Sequence, residues 1–183
     1  MIIGITGTNG AGKGTVVDYL RDTKGCTHFS ARAFLIEEIQ KQGLPVDRTH
    51  MRQVANEMRK VHGPAYVVEH LLTQAEVTSG VSVIESIRTI GEAELLLSRG
   101  AQLWAVDAKR ETRYERILAR MSETDHVTFE QFCEYEDCEM QGTEPWDMNV
   151  FGVMARAHHT FTNDTTREAL FAQVEKEWSL LRD

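Results

Sequence analysis

The sequence predicts an α/β fold, a five-stranded parallel sheet flanked by helices, and three observations carry that expectation. Short β-branched or aromatic runs alternate with longer stretches of helical spacing. The first such run passes straight into a glycine-rich turn. No repeat, low-complexity tract or Pro/Gly/Ser-rich linker divides the 183 residues, so one domain is expected over 1–183.

Strands are expected at Ile2–Ile5, Thr27–Ser30, Val81–Ile84, Leu103–Val106 and Ala157–Thr162, where β-branched and aromatic residues cluster. Helices are expected at Gly12–Asp22, Ala31–Gln42, Arg48–His62, Ala65–Ser79, Gly91–Arg99, Arg110–Met121, Thr128–Gln141 and Thr165–Leu181. Strands joined through helices pair in parallel and are covered on both faces, so ligands belong beyond the strands' carboxyl ends. Trp104 reads as sheet core. His158 and His159, adjacent on a strand, point to opposite faces and read as packing or surface rather than a metal pair.

Charge narrows the partners. With 20 Lys+Arg against 28 Asp+Glu the formal net charge is −8, which argues against a nucleic-acid polymer or an anionic membrane as partner. No run approaches the roughly 20 apolar residues of a membrane span, and glycines follow Met1–Thr6 where a signal core would lie, so a cytoplasmic protein is expected. Cys26, Cys133 and Cys138 lack zinc-type spacing and read as free, buried thiols. Nine of the 28 acids fall between Met121 and Ala155, where there is no Lys or Arg, leaving 19 acids against 20 bases elsewhere. A solvated helical face is the default reading of such a run. The functional alternative is that Glu134, Glu136 and Asp137 repel polyanions or dock a basic partner.

Gly7-Thr8-Asn9-Gly10-Ala11-Gly12-Lys13-Gly14-Thr15 has the spacing of a phosphate loop, placed between a strand and a helix as that motif requires. Glycines let backbone N–H groups wrap a polyphosphate, and the helix N-terminus behind them adds a favourable dipole. Lys13 is expected to neutralise β and γ phosphates. Thr15, or else Thr6 or Thr8, is expected to supply a hydroxyl for Mg²⁺. ATP and Mg²⁺ are therefore the expected cofactors.

A phosphoryl-transfer enzyme needs a second anion site to bring like charges into line. The best candidate follows the third strand: Glu85-Ser86-Ile87-Arg88-Thr89. Together with the Gly-Lys-Gly-Thr loop ending, this resembles the adenylate kinase group of P-loop nucleoside monophosphate kinases, whose corresponding segment reads Asp-Gly-Phe-Pro-Arg-Thr. The resemblance implies a P-loop NTPase fold with Glu85 near Mg²⁺ and Arg88 on the acceptor phosphate. Ser86 stands where that segment has glycine. Val54-Ala55-Asn56-Glu57-Met58-Arg59 is also similar to an acceptor-helix stretch of dephospho-CoA-kinase-like proteins.

The resemblance implies an acceptor-binding insertion at about 31–79 and a lid at about 121–127. It makes Arg59 and Arg52 the acceptor contacts after Arg88, then Arg32, with Arg48 close to the same helix face. Arg113, Arg116 and Arg120 form one helical stripe before the lid, and the resemblance gives Arg116 and Arg120, with Lys13, the charge on the transferring group. Arg110 and Arg113 equally suit surface pairing with Asp107, Glu111 or Glu115. Family lids often return an arginine from the next helix, yet Phe129–Met140 contains none. Asn163 falls where the family's last loop approaches the adenine. The implied activity is transfer of the γ-phosphoryl of ATP to a nucleoside monophosphate. The alternatives are a dephospho-CoA-type kinase and a regulatory P-loop ATPase.

Overall fold

A computed structural model describes residues 1–120 and 127–181. In chain order the elements are β1 (Ile2–Gly7), α1 (Lys13–Lys24), β2 (Thr27–Ser30), α2 (Ala31–Lys41), α3 (Arg48–His62), α4 (Tyr66–Glu76) and β3 (Ser82–Glu85). They continue with α5 (Ile90–Ser98), β4 (Gln102–Asp107), α6 (Arg110–Arg120), α7 (Phe129–Met140), α8 (Val150–Met154), β5 (His159–Thr162) and α9 (Arg167–Leu180). The five strands pair in parallel in the order β2-β3-β1-β4-β5, as the alternation of strands and helices requires. Two differences from the sequence reading stand out. The one-turn helix α8 was not expected, because five residues are too few to show a period; it starts where Asn149 accepts from the Gly152 amide at 2.8 Å. The lid expected at 121–127 lies, apart from Val127, outside the described residues.

Alternate strand residues feed two cores. Ile3, Ile5, Val83, Trp104, Val106 and Phe161 pack against α1 and α9 through Val16, Val17, Leu20, Leu170 and Val174. Ile84 and Leu103 face the other way, onto Leu71, Leu72 and Leu96 of α4 and α5. Burial on both faces is why the strands read as nearly unbroken apolar runs. Gly4 belongs to this second face: a Cβ there would meet Leu96 Cδ1 at 2.8 Å, so glycine lets α5 lie close on the sheet. His158 and His159 diverge as expected, the first accepting from the Leu103 amide at 2.9 Å and the second lying 3.1 Å from Glu177. Cys26 is buried, but Cys138 is exposed, contrary to the buried reading.

Local chemistry sets the helix starts that frame the site. Asp47 accepts from the His50 amide at 2.9 Å and opens α3, while Thr89 and Glu92 form a reciprocal capping box on α5, as do Thr128 and Gln131 on α7. These caps fix where Arg48, Arg88 and Glu139 enter the space beyond the sheet's carboxyl edge.

Candidate active site

The loop between β1 and α1 wraps the carboxyl end of the central strand. Gly10 and Gly12 have φ of +80° and +101°, where a side chain is strained, and each is also crowded from behind. A Cβ on Gly10 would meet the Arg113 carbonyl at 2.5 Å, and one on Gly12 would meet Asn163 Nδ2 at 2.4 Å. Lys13 Nζ donates to the carbonyls of Gly7 and Thr8 at 3.0 and 2.7 Å. Burial pushes the Lys13 ammonium down to about 7; Arg88 and Arg120 add to the lowering, and Glu85 and Glu139 oppose it. Of the three candidate hydroxyls, Thr6 donates to the Ile87 carbonyl at 2.8 Å and Thr8 to Asp107 Oδ1 at 2.7 Å, whereas Thr15 lines the cavity described below.

The chain turns sharply at the β3 end. Ser86 takes φ of +70°, and the amides of Ser86 and Ile87 both donate to the Ile5 carbonyl, at 2.9 and 3.2 Å. A glycine at this position in the resembling segment is explained by that left-handed backbone. Glu85 lies 3.3 Å from His28 Nε2. Burial alone would raise its carboxyl, but hydrogen bonding and charge from His28, with Lys13 and Ser86 helping, hold it below the ordinary value.

One cavity of about 660 Å³ joins the two halves. Asn9, Gly10, Gly12, Lys13, Gly14 and Thr15 line it on the loop side, with Arg116 and Arg120 from α6. Arg32, Arg48, Arg52 and Arg59 line the side facing α2 and α3, and Glu85 and Arg88 lie between. The structure thus gathers most of the residues expected for the site. Three do not line the cavity. Gly7 packs under the strand end, where a Cβ would collide with the Val106 carbonyl. Ala11 is buried. Asn163 donates to the Ala11 carbonyl at 2.8 Å and braces the loop from behind.

Two arginines also change role. Arg59 is 2% exposed and donates through Nε and Nη2 to Glu92 Oε1 at 2.9 and 2.8 Å; Glu92 Oε2 in turn accepts from the Arg88 and Thr89 amides. Arg59 therefore anchors α3 to the Arg88 turn, and only its buried Nη1, with no hydrogen-bond partner, is left for a ligand. Arg116 likewise has a buried Nη1 without a hydrogen-bond partner. Arg113 is not a surface group: it donates to the carbonyls of Ala108 and Asn9 at 2.7 and 3.2 Å and pairs with Glu136.

The acidic segment is a solvated face only in part: Glu130, Glu134, Asp137 and Glu144 are exposed, whereas two of its acids turn inward. Glu136 and Glu139 of α7 are buried: Glu136 grips Arg113 with both oxygens and also pairs with Arg110 at 2.6 Å. Glu139 reaches into the cavity, accepting from Arg48 Nη2 at 2.6 Å and lying 3.4 Å from Arg88 Nη1. Glu139 and His28 are the site residues that sequence reasoning missed. Their signal was weak: an (i, i+3) acid pair in a base-free stretch of a chain whose arginines lie elsewhere. Among the described residues no cluster of His, Cys, Asp and Glu is placed to hold a metal by itself, and no helix is long and apolar enough to cross a membrane.

This geometry has relatives. A UPF0200 protein of Staphylothermus marinus is 26% identical over 171 residues, 93% of this chain and 87% of its own length. Among solved structures, TT1252 from Thermus thermophilus superposes with a TM-score of 0.65 at 21% identity, over 99% of this chain and 97% of its own. Shikimate kinase from Bacteroides thetaiotaomicron superposes with a TM-score of 0.64 at 13% identity, over 100% and 99%. At these identities the likeness shows the fold, that of the kinase-like P-loop NTPases. Residues 3–141, running from β1 through the phosphate loop to the end of α7, match the AAA domain family, and the chain belongs to it.

Proposed function

We propose that the protein is an ATP-dependent phosphotransferase that moves the γ-phosphoryl group of ATP to a nucleoside monophosphate. The observation that carries this reading is the single cavity in which a phosphate loop and an arginine-lined second anion site face each other. The residues present suit ATP and Mg²⁺: the loop backbone has the left-handed glycines, the cavity holds the buried, unpartnered Nη1 of Arg116, and Thr15 and Glu85 offer the hydroxyl and carboxylate a hard cation takes. When bound, Mg²⁺ supplies charge neutralisation across the phosphates.

The chain's own groups do the rest. The loop amides and α1 N-terminus hold the donor phosphates, and Lys13 leaves the Gly7 and Thr8 carbonyls to meet them. Arg116 and Arg120 offset charge at the transferring group. Arg88, with Arg32, Arg52 and the free nitrogen of Arg59, holds the acceptor phosphate in line. Closure around the two nucleotides excludes water and suppresses hydrolysis. An alcohol acceptor, as in a dephospho-CoA-type kinase, would ask Glu85 to take a proton. A carboxylate held below its ordinary range is a weak base, which favours an acceptor whose oxygen is already anionic. A regulatory ATPase is the second reading, favoured by the lack of any arginine on α7.

Two variants test the assignment. Lys13→Ala is expected to abolish turnover with the fold intact. Arg88→Met is expected to raise the acceptor KM far more than the ATP KM. Unchanged turnover in the first, or equal damage to both substrates in the second, contradicts the assigned roles.

A further inference from the structure

The two buried carboxylates of α7 are used differently. Glu136 places both oxygens on Arg113 and shares one of them with Arg110, two arginines of the same helix α6, outside the cavity. Glu139, one turn on, divides its oxygens between two arginines from separate elements, Arg48 at the start of α3 and Arg88 after β3. All three groups line the cavity. The Tyr135 ring lies 5.3 Å from the Arg48 guanidinium, so α7 holds that arginine in place as well as neutralising it. An anion thus already sits between two cations on the wall where the acceptor's anion is needed.

We propose that Glu139 is the resident counter-ion of the acceptor's anion position, displaced from Arg48 and Arg88 by an anionic group of the incoming acceptor. The inference rests on the phosphotransferase reading and narrows its substrate class. A phosphate dianion carries more charge than the carboxylate and presents oxygens to both guanidiniums, so it exchanges with Glu139. A neutral hydroxyl offers neither and leaves the pair closed. Glu139 is therefore a specificity determinant: the site admits acceptors that bring their own anion and rejects uncharged alcohols. It also keeps the two arginines oriented and spares them an unpaired state while the site is vacant.

The test is calorimetric titration of the full chain with inorganic phosphate. Phosphate taken up by the glycine-rich loop contributes alike to every variant, so the difference between variants is what is read. Glu139→Gln is expected to bind phosphate about tenfold more tightly, because the competing charge is gone. Glu139→Asp is expected to restore weak binding, and the gain is expected to vanish in Glu139→Gln combined with Arg88→Met. No gain, or a gain that survives Arg88→Met, overturns the proposal. Should the Gln variant fail to fold, hydrogen exchange on the unaltered chain decides: phosphate is expected to speed exchange in α7 around Glu139, and an unchanged rate overturns the idea. A protein that passes these tests yet phosphorylates no acceptor refutes the kinase reading and leaves the anion exchange standing.

Discussion

Arg59 donates to one oxygen of Glu92 through both Nε and Nη2, with side chains 2% and 0% exposed. Removing one member leaves a buried charge unpaired, so Arg59→Met is expected to cost about 3–5 kcal/mol of stability. Pairing it with Glu92→Gln should cost less than the sum of the two single changes, since no net charge is then stranded. Urea denaturation measures both. An Arg59 variant of unchanged stability contradicts the anchoring role.

Ser86 carries a left-handed backbone at the hinge between β3 and Arg88. That conformation costs an L-residue about 1–2 kcal/mol, partly offset in a glycine variant by the larger entropy of its unfolded chain. Ser86→Gly is therefore expected to stabilise by about 0.5–1 kcal/mol. Ser86→Val, branched at Cβ, is expected to destabilise. The reverse order in denaturation midpoints contradicts the strain.

Lys13 links ligand binding to protons. In the unfolded chain it holds its proton up to about 10.5, in the ligand-free fold only to about 7. Between those values the unfolded state binds more protons, so this group's contribution to stability rises with pH across that window, and its full penalty is present below it. A bound polyphosphate restores the charge. Nucleotide binding at pH 8 is thus expected to take up close to one proton and to weaken as pH rises. Calorimetry in buffers of different ionisation enthalpy reads this directly, and zero uptake at pH 8 contradicts it.

Asn163 braces the phosphate loop through the Ala11 carbonyl. Asn163→Ala is expected to cost about 1 kcal/mol and to weaken nucleotides of every base alike. A loss confined to adenine nucleotides would return Asn163 to the base.

The sheet, the phosphate loop and the gathering of arginines were legible because they rest on local signals: apolar strand runs, glycine spacing and helical offsets. The strand ends shifted by a residue or two, as at β3, where Val81 gives way to Glu85. What sequence did not reveal was which charges meet. Arg59 and Arg52 share a helix and both line the cavity, yet Arg59 is locked onto Glu92, a distinction set by where α5 places that carboxylate. Glu136 and Glu139 looked like a solvated face because their partners, Arg113, Arg48 and Arg88, come from three other segments. Long-range ion pairs leave no periodic trace in one sequence.

The cavity is expected to align ATP with a phosphorylated acceptor. Incubation with ATP-Mg²⁺ and a panel of nucleoside monophosphates and dephospho-CoA, read by ADP release and product mass, tests it most directly. A nucleoside diphosphate is expected from at least one monophosphate, with little ADP released in its absence. ADP release with no phosphorylated monophosphate in any reaction would contradict it.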